Sequence, residues 1–269
     1  YDEVRELEEH VGLGWLFQLR GATKAPGDAV VVAIDRESSE RLNVSNNPDR
    51  WPRSLHARLI ETLNRAGARV IVFDLYFAEP RSPEEDGALA EAIKKAGNVV
   101  LAEQLRAKEI ASSDDVDTEP GGHRLVETLK PLESFLHAAS ATAPFVLPRM
   151  PVRVSQYWTF QTDAGDAPTF PVLALQLYTL EAYQDMRALL GKASPQHAAR
   201  LPRDASSAIE SSGASKFTRD LRQLLHSDFD VSDGLARVVV GPGSNHRPVS
   251  ALVNLYTGAN RQYLNFYGP

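Results

Sequence analysis

Asp35 and Asp74 each end an apolar run, VVVAID and VIVFD, in this 269-residue chain. In a parallel sheet the carboxyl ends of neighbouring strands face one crevice, where ligands usually bind. With Glu79 and Asp86 nearby in sequence, the two aspartates could offer hard oxygen ligands to a divalent cation. Their spacing matches no metal-loop signature, however. In the structural alternative Asp74 accepts backbone bonds or pairs with Arg53, because a buried carboxylate needs such partners. Trp51-Pro52-Arg53 precedes a helical stretch that contains His56. Trp51 could cover a ligand and Arg53 could bind an anion. Alternatively, Trp51 fills the core and Arg53 ties its loop to Asp74. His56 is a candidate for sensing acidity, or a local hydrogen-bonding residue. The candidate ligand-binding set is therefore Asp35, Trp51, Arg53, His56, Asp74 and Glu79.

The elements that position these residues follow from periodicity. A strand is expected at about residues 29–34, after the break at Pro26-Gly27-Asp28. Leu55, Leu59 and Leu63 recur every four residues, predicting a helix over about 55–66 with Ser54 as its cap and Gly67 as its stop. A second strand is expected over 69–74. Ser82-Pro83-Glu84-Glu85 is a strong helix-start pattern and predicts a helix over about 83–96, ending at Gly97. A third strand is expected over 98–102. Alternating strands and helices imply an α/β fold. Its mainly parallel central sheet carries helices on both faces, with a Rossmann-like β-α-β-α-β start and further C-terminal strands.

Later segments read less sharply. Residues 106–124 look like a polar loop, and 143–147 a fourth strand. Residues 152–160 are β-prone and 170–190 the longest helix. Residues 192–214, rich in Ser, Ala, Pro and Gly, read as an exposed linker. A helix over 216–225 and strands at 237–240 and 262–267 follow.

Composition excludes several classes. The chain has no cysteine, so thiol catalysis, Cys-based zinc sites and disulfides are ruled out. A net charge of −6 argues against nucleic acid as a partner. None of the histidines falls in an H-x-x-x-H pair. No G-x-S-x-G elbow is present, and Gly241-Pro242-Gly243-Ser244 lacks the Lys-Ser/Thr ending of a phosphate loop. No catalytic residue, metal or cofactor is expected.

Several motifs together resemble the type-2 CHASE domain, a sensory extracellular domain associated with cyclases and histidine kinases. They are Ile34-Asp35, Trp51-Pro52-Arg53, His56-Ala57, Phe73-Asp74, Phe77, Glu79-Pro80, Asp86 and Leu89-Ala90. The tail Tyr263–Pro269 resembles the family's last strand, and Leu19-Arg20-Gly21 its lead-in. The stretch 148–171 lacks the D-x-D-G-x-x-R motif of many members, so no role of that motif carries over.

The resemblance implies an extracytoplasmic sensory domain, periplasmic or extracellular. It would be anchored in the cytoplasmic membrane by flanking helices, and would regulate a cyclase or kinase. The partners it implies are a small polar ligand or a periplasmic protein, with a homodimer left open. In this reading residues 1–28 are a helical lead-in from the membrane side. Residues 29–269 form one α/β sensory domain with a flexible insertion at 192–214. The alternatives are a metal-dependent hydrolase using Asp35 and Asp74, or a purely structural dimerisation module.

Overall fold

The computed structural model describes residues 12–24, 26–109, 124–145, 147, 156–162, 165–226, 228, 231–235 and 247–264. They fall into two compact units. The first comprises the described residues of Tyr1–Pro48, Val146–Thr159 and Ala259–Pro269; the second those of Asp49–Phe145 and Phe160–Gly258.

In the first unit residues 12–20 are helical, and helix α1 spans Arg36–Leu42. Two short strands, β5 (Gln156–Trp158) and β6 (Arg261–Tyr263), pair antiparallel. The expected strand at 29–34 does not form: these residues have no regular structure. Val30 and Val31 are 85% and 90% exposed. An apolar run supplies side chains for a sheet face, but a strand also needs a ladder partner, and this segment has none among the described residues. Consequently Asp35 does not end a strand. The terminal segment 265–267 and the expected strand at 237–240 lie outside the described residues.

The second unit contains the parallel sheet. Strand β1 (Ile71–Phe73) pairs parallel with β2 (Val99–Glu109), Ile71 opposite Val99. Strand β4 (Ala141–Pro144) pairs parallel with β2, Val100 opposite Ala141. The far half of β2 pairs antiparallel with β3 (Arg124–Leu129), where a polar loop was expected; residues 110–123 are not described. The β-α-β-α-β unit is thus present but begins at Ile71 and ends at Pro144.

Helix α2 (Arg53–Arg65) precedes β1. Helix α3 (Pro83–Ala96) joins β1 to β2 and is capped as its sequence implies. The Ser82 hydroxyl accepts the Glu85 amide at 3.2 Å. Gly97 takes φ 68°, a left-handed conformation that suits glycine at a helix end. Helix α4 (Glu133–Ala138) leads into β4.

Both faces of the sheet are covered. The side chains of Val99 and Leu101 join Ile60, Leu89, Ile93 and Phe135 in one core beneath α2, α3 and α4. Val100, Ala102, Ala141 and Ala143 join Phe170, Leu173 and Ala214 in another. Alternation along β2, buried on both sides, is the mark of a central parallel strand. The second face is covered by α5 (Phe170–Tyr178) and α9 (Ala214–His226). The expected long helix at 170–190 is divided: α5 ends at Tyr178, a short 3-10 turn follows, and α6 runs Tyr183–Ala193. At the break the Thr179 hydroxyl donates to the Leu175 carbonyl at 2.7 Å, a back-bond that competes with the helix ladder.

Residues 192–214 are not an exposed linker. They form the end of α6, then α7 (Pro195–Arg200) and α8 (Ala205–Ser212). Ala198, Leu201 and Ala205 are buried in a helical core with Met186, Leu190, Leu221, Leu225 and, from α10 (Arg247–Thr257), Leu252 and Tyr256. The Ser and Ala content that reads as a linker is that of short helices whose small residues let them pack closely. Because Leu201 is 4% exposed, Leu201→Ala is expected to cost about 2–5 kcal/mol. Urea denaturation measures this. An exposed linker position would show a change within about 0.5 kcal/mol.

Candidate functional site

The motif residues that open α2 are drawn into a buried clasp. Arg53, the first residue of α2, has a side chain only 3% exposed. Its Nη2 donates to the Glu79 carbonyl at 2.9 Å. Its Nε faces Asp86 Oδ1 at 3.4 Å. The guanidinium lies 4.7 Å above the Phe77 ring and 5.6 Å from that of Phe135. Burial holds the Arg53 pKa below the usual guanidinium value, and the Asp86 carboxylate opposes that shift. A cation this far from water survives because a carboxylate, a carbonyl and two aromatic faces replace its hydration.

Asp86 binds on both oxygens. Its Oδ2 accepts the backbone N–H of Arg81 at 2.7 Å, and the Arg81 guanidinium donates to the Asp49 carbonyl. Asp86 stands in the first turn of α3 with Glu84 and Glu85, where the helix dipole favours negative charge. The clasp thereby joins the start of α2, the segment 77–82, α3 and, through Asp49, the segment before Trp51. The Leu132 amide, bonded to the Phe77 carbonyl at 2.9 Å, adds the approach to α4.

His56 lies beside the clasp, 2% exposed. Phe77 meets its ring edge-on at 5.3 Å, with Phe73 at 6.2 Å and Trp51 at 6.4 Å. Neither ring nitrogen has a hydrogen-bond partner. Burial, and then the charge of Arg53, pushes its pKa down to about 4; the nearby Pro52 carbonyl opposes the shift without a well-formed hydrogen bond. Trp51 is 6% exposed and closes this aromatic group.

The six sequence-predicted residues therefore separate. Trp51, Arg53 and His56 come together, and Glu79 contributes its backbone carbonyl while its side chain is exposed. Asp74 is exposed too and does not pair with Arg53. The expected Arg53–Asp74 bridge is replaced by Arg53–Asp86, because Asp86 at the start of α3 reaches the buried guanidinium. Asp35 belongs to the first unit, where it caps α1. Its Oδ1 accepts the Ser38 hydroxyl at 2.7 Å and the Ser38 amide at 2.8 Å. These bonds hold its carboxyl below the usual carboxylate range.

The sequence does not assign Phe77, Arg81 or Phe135 to the site; Asp86 stands there as a candidate metal ligand and, like Phe77, as a motif position, but not as the partner of Arg53. An acid in the first turn of a well-capped helix was the available signal for Asp86. Among the described residues no group of three or more His, Asp or Glu side chains could hold a metal ion. A cleft of about 270 Å³ opens elsewhere, between α2 and α3, lined by Ile60, Asn64, Ala92 and Lys95.

Removing the Asp86 carboxylate leaves Arg53 buried and uncompensated. Asp86→Ala is expected to lower stability by about 3–5 kcal/mol. Asp74→Ala, on an exposed side chain, is expected to stay within about 0.5 kcal/mol. Denaturant titration of the two variants near neutral pH separates them, and equal effects would contradict the assignment.

Comparison with curated proteins and with solved structures returns no significant match. No described helix is long and apolar enough to cross a membrane. A family model, the CHASE2 domain, matches residues 3–265, nearly the whole chain. The motifs that build the clasp lie within that match, and the chain belongs to the CHASE2 family of extracellular sensory domains.

Proposed function

We propose that this domain is the signal-input module of a membrane receptor. It is held outside the cytoplasmic membrane by flanking helices and regulates a cytoplasmic cyclase or kinase. Family membership supports the sensory role. The observation that carries the receptor reading is the path of the chain. The first unit holds both the first and the last described segments of the match, residues 12–24 and 259–264. Membrane helices joined on either side therefore connect to this one unit. The second unit holds the clasp of Trp51, Arg53, His56 and Asp86 and is the input side.

Regulation requires two states that the input favours unequally. The clasp is suited to be the bistable part. It joins several elements through one desolvated ion pair, so its loss frees them together. The input is a small polar species or a periplasmic partner acting on the segment around Trp51, with homodimerisation through the first unit as the coupling. Of the candidate set, Trp51, Arg53, His56 and the Glu79 carbonyl take part in this input. Asp35 enters only as a helix cap, so the hydrolase reading built on Asp35 and Asp74 loses a metal ligand.

The cysteine-free sequence allows a direct topology test. Arg58 is exposed on α2, and Arg58→Cys in the full-length protein gives this domain one thiol. A membrane-impermeant maleimide should label it on intact cells. Labelling only after lysis would refute the extracytoplasmic placement. In the same protein Asp86→Ala should shift the cyclase or kinase output at normal expression. Unchanged output would remove the clasp from the input path.

A further inference from the structure

The imidazole of His56 is enclosed, with the Pro52 carbonyl nearby but no well-formed hydrogen bond to either nitrogen. An unpaired polar group of this kind costs free energy and calls for an explanation. Its walls, the rings of Trp51, Phe73 and Phe77, carry no charge. The charged groups that act on it are Arg53 of its own helix and Arg81 of the segment before α3. Asp86, at the start of α3, is engaged by the Arg53 guanidinium and the Arg81 amide. On the segments that supply the aromatic walls, Asp49, Arg50, Asp74 and Glu79 are all exposed. No carboxylate is thus free to pair with a protonated His56, and the two side-chain charges that act on it are positive.

We propose that His56 is a proton-operated latch on the segment Asp49–Pro52. When the imidazole takes up a proton it becomes a second cation beside Arg53 in an apolar enclosure, and Trp51 moves out to admit water. Opening here is the shortest route to hydration, since His56 sits in the first turn of α2 and Trp51-Pro52 lies immediately before it. As a description of the domain's input, the latch rests on the sensory reading above: the small polar species is the proton. The opening itself does not depend on that reading.

The direction follows from linkage. In an open, hydrated state His56 titrates at its ordinary value of 6.5, and in the closed state at about 4. The open state therefore binds more protons between these values, and the closed state loses stability as pH falls through them. Above the window the closed state keeps its full stability. Below it the ratio of closed to open forms is reduced by about 300-fold, the pKa difference expressed as an equilibrium factor.

Trp15→Phe with Trp158→Phe leaves Trp51 as the sole tryptophan of the domain. This variant is titrated between about pH 8 and 4, reading tryptophan emission, the His56 imidazole resonances and far-UV circular dichroism together. The expected result is a red shift of Trp51 whose midpoint coincides with the His56 resonances, while the dichroism is retained. His56→Gln and His56→Phe should each abolish the shift, the second filling the enclosure with an uncharged ring.

A shift that persists in both variants, the absence of a shift, or a shift that accompanies loss of the dichroism would each overturn the latch. Output of the full-length protein across the same range tests the sensory reading separately. Opening without any pH response of output would leave the latch standing and remove the proton as the signal.

Discussion

The start of α2 is organised around a desolvated cation. Arg53 sits where water does not reach it, and Asp86, the Glu79 carbonyl and the faces of Phe77 and Phe135 stand in for hydration. Burying a charge is tolerated only when its partners are supplied together. Those partners come from the segment after β1, the first turn of α3, and α4. The guanidinium can therefore be satisfied only when these pieces are assembled, which makes the pair a device for specificity more than for net stability. His56 sits on the same helix turn and inherits the arrangement: a fixed positive neighbour and apolar walls.

The sheet explains why the clasp forms where it does. β1 and β2 run parallel in register from Ile71 and Val99, so the chain leaves β1 at the carboxyl edge and must return over α3 to start β2. The segment 74–82 crosses that edge, and α3 begins beside it. Such strand-end segments are where a rigid α/β scaffold places variable, functional residues. In this chain the position is filled by packed side chains.

The local patterns most legible in sequence were those with their own stop and start chemistry. Ser82-Pro83 and Gly97 bound α3 as expected, and the Leu55–Leu63 repeat marks α2 to within two residues at its start. The class of fold, helices on both faces of a parallel sheet, follows from the alternation and is what β2 displays. The segment 30–34 shows the limit of this reasoning. It has the apolar, β-branched composition of a strand, but pairing is a tertiary event that composition does not encode. Residues 192–214 failed for the opposite reason: small polar residues that read as loop are also those of tightly packed short helices.

Only part of the clasp is legible in sequence, and its pairing is not. Trp51, Arg53 and His56 were identifiable because an indole, a guanidinium and an imidazole cluster at a helix start. In sequence Asp74, at a strand end, is the better placed carboxylate for Arg53, yet Asp86 is the acid that reaches it. Which of several carboxylates reaches a buried arginine depends on the lengths of β1 and of the segment before α3, and no single-sequence pattern reports that. Phe77 and Phe135 are the remaining partners, separated in sequence and joined only by the approach of α4.

A double-mutant cycle on Arg53→Met and Asp86→Leu, followed by denaturant unfolding near neutral pH, tests the central claim most directly. If the two side chains form one buried unit, the double variant is less destabilised than the sum of the single variants, with a coupling of about 1–3 kcal/mol. Additive single losses would mean that the pair is not the constraint on which the site is built.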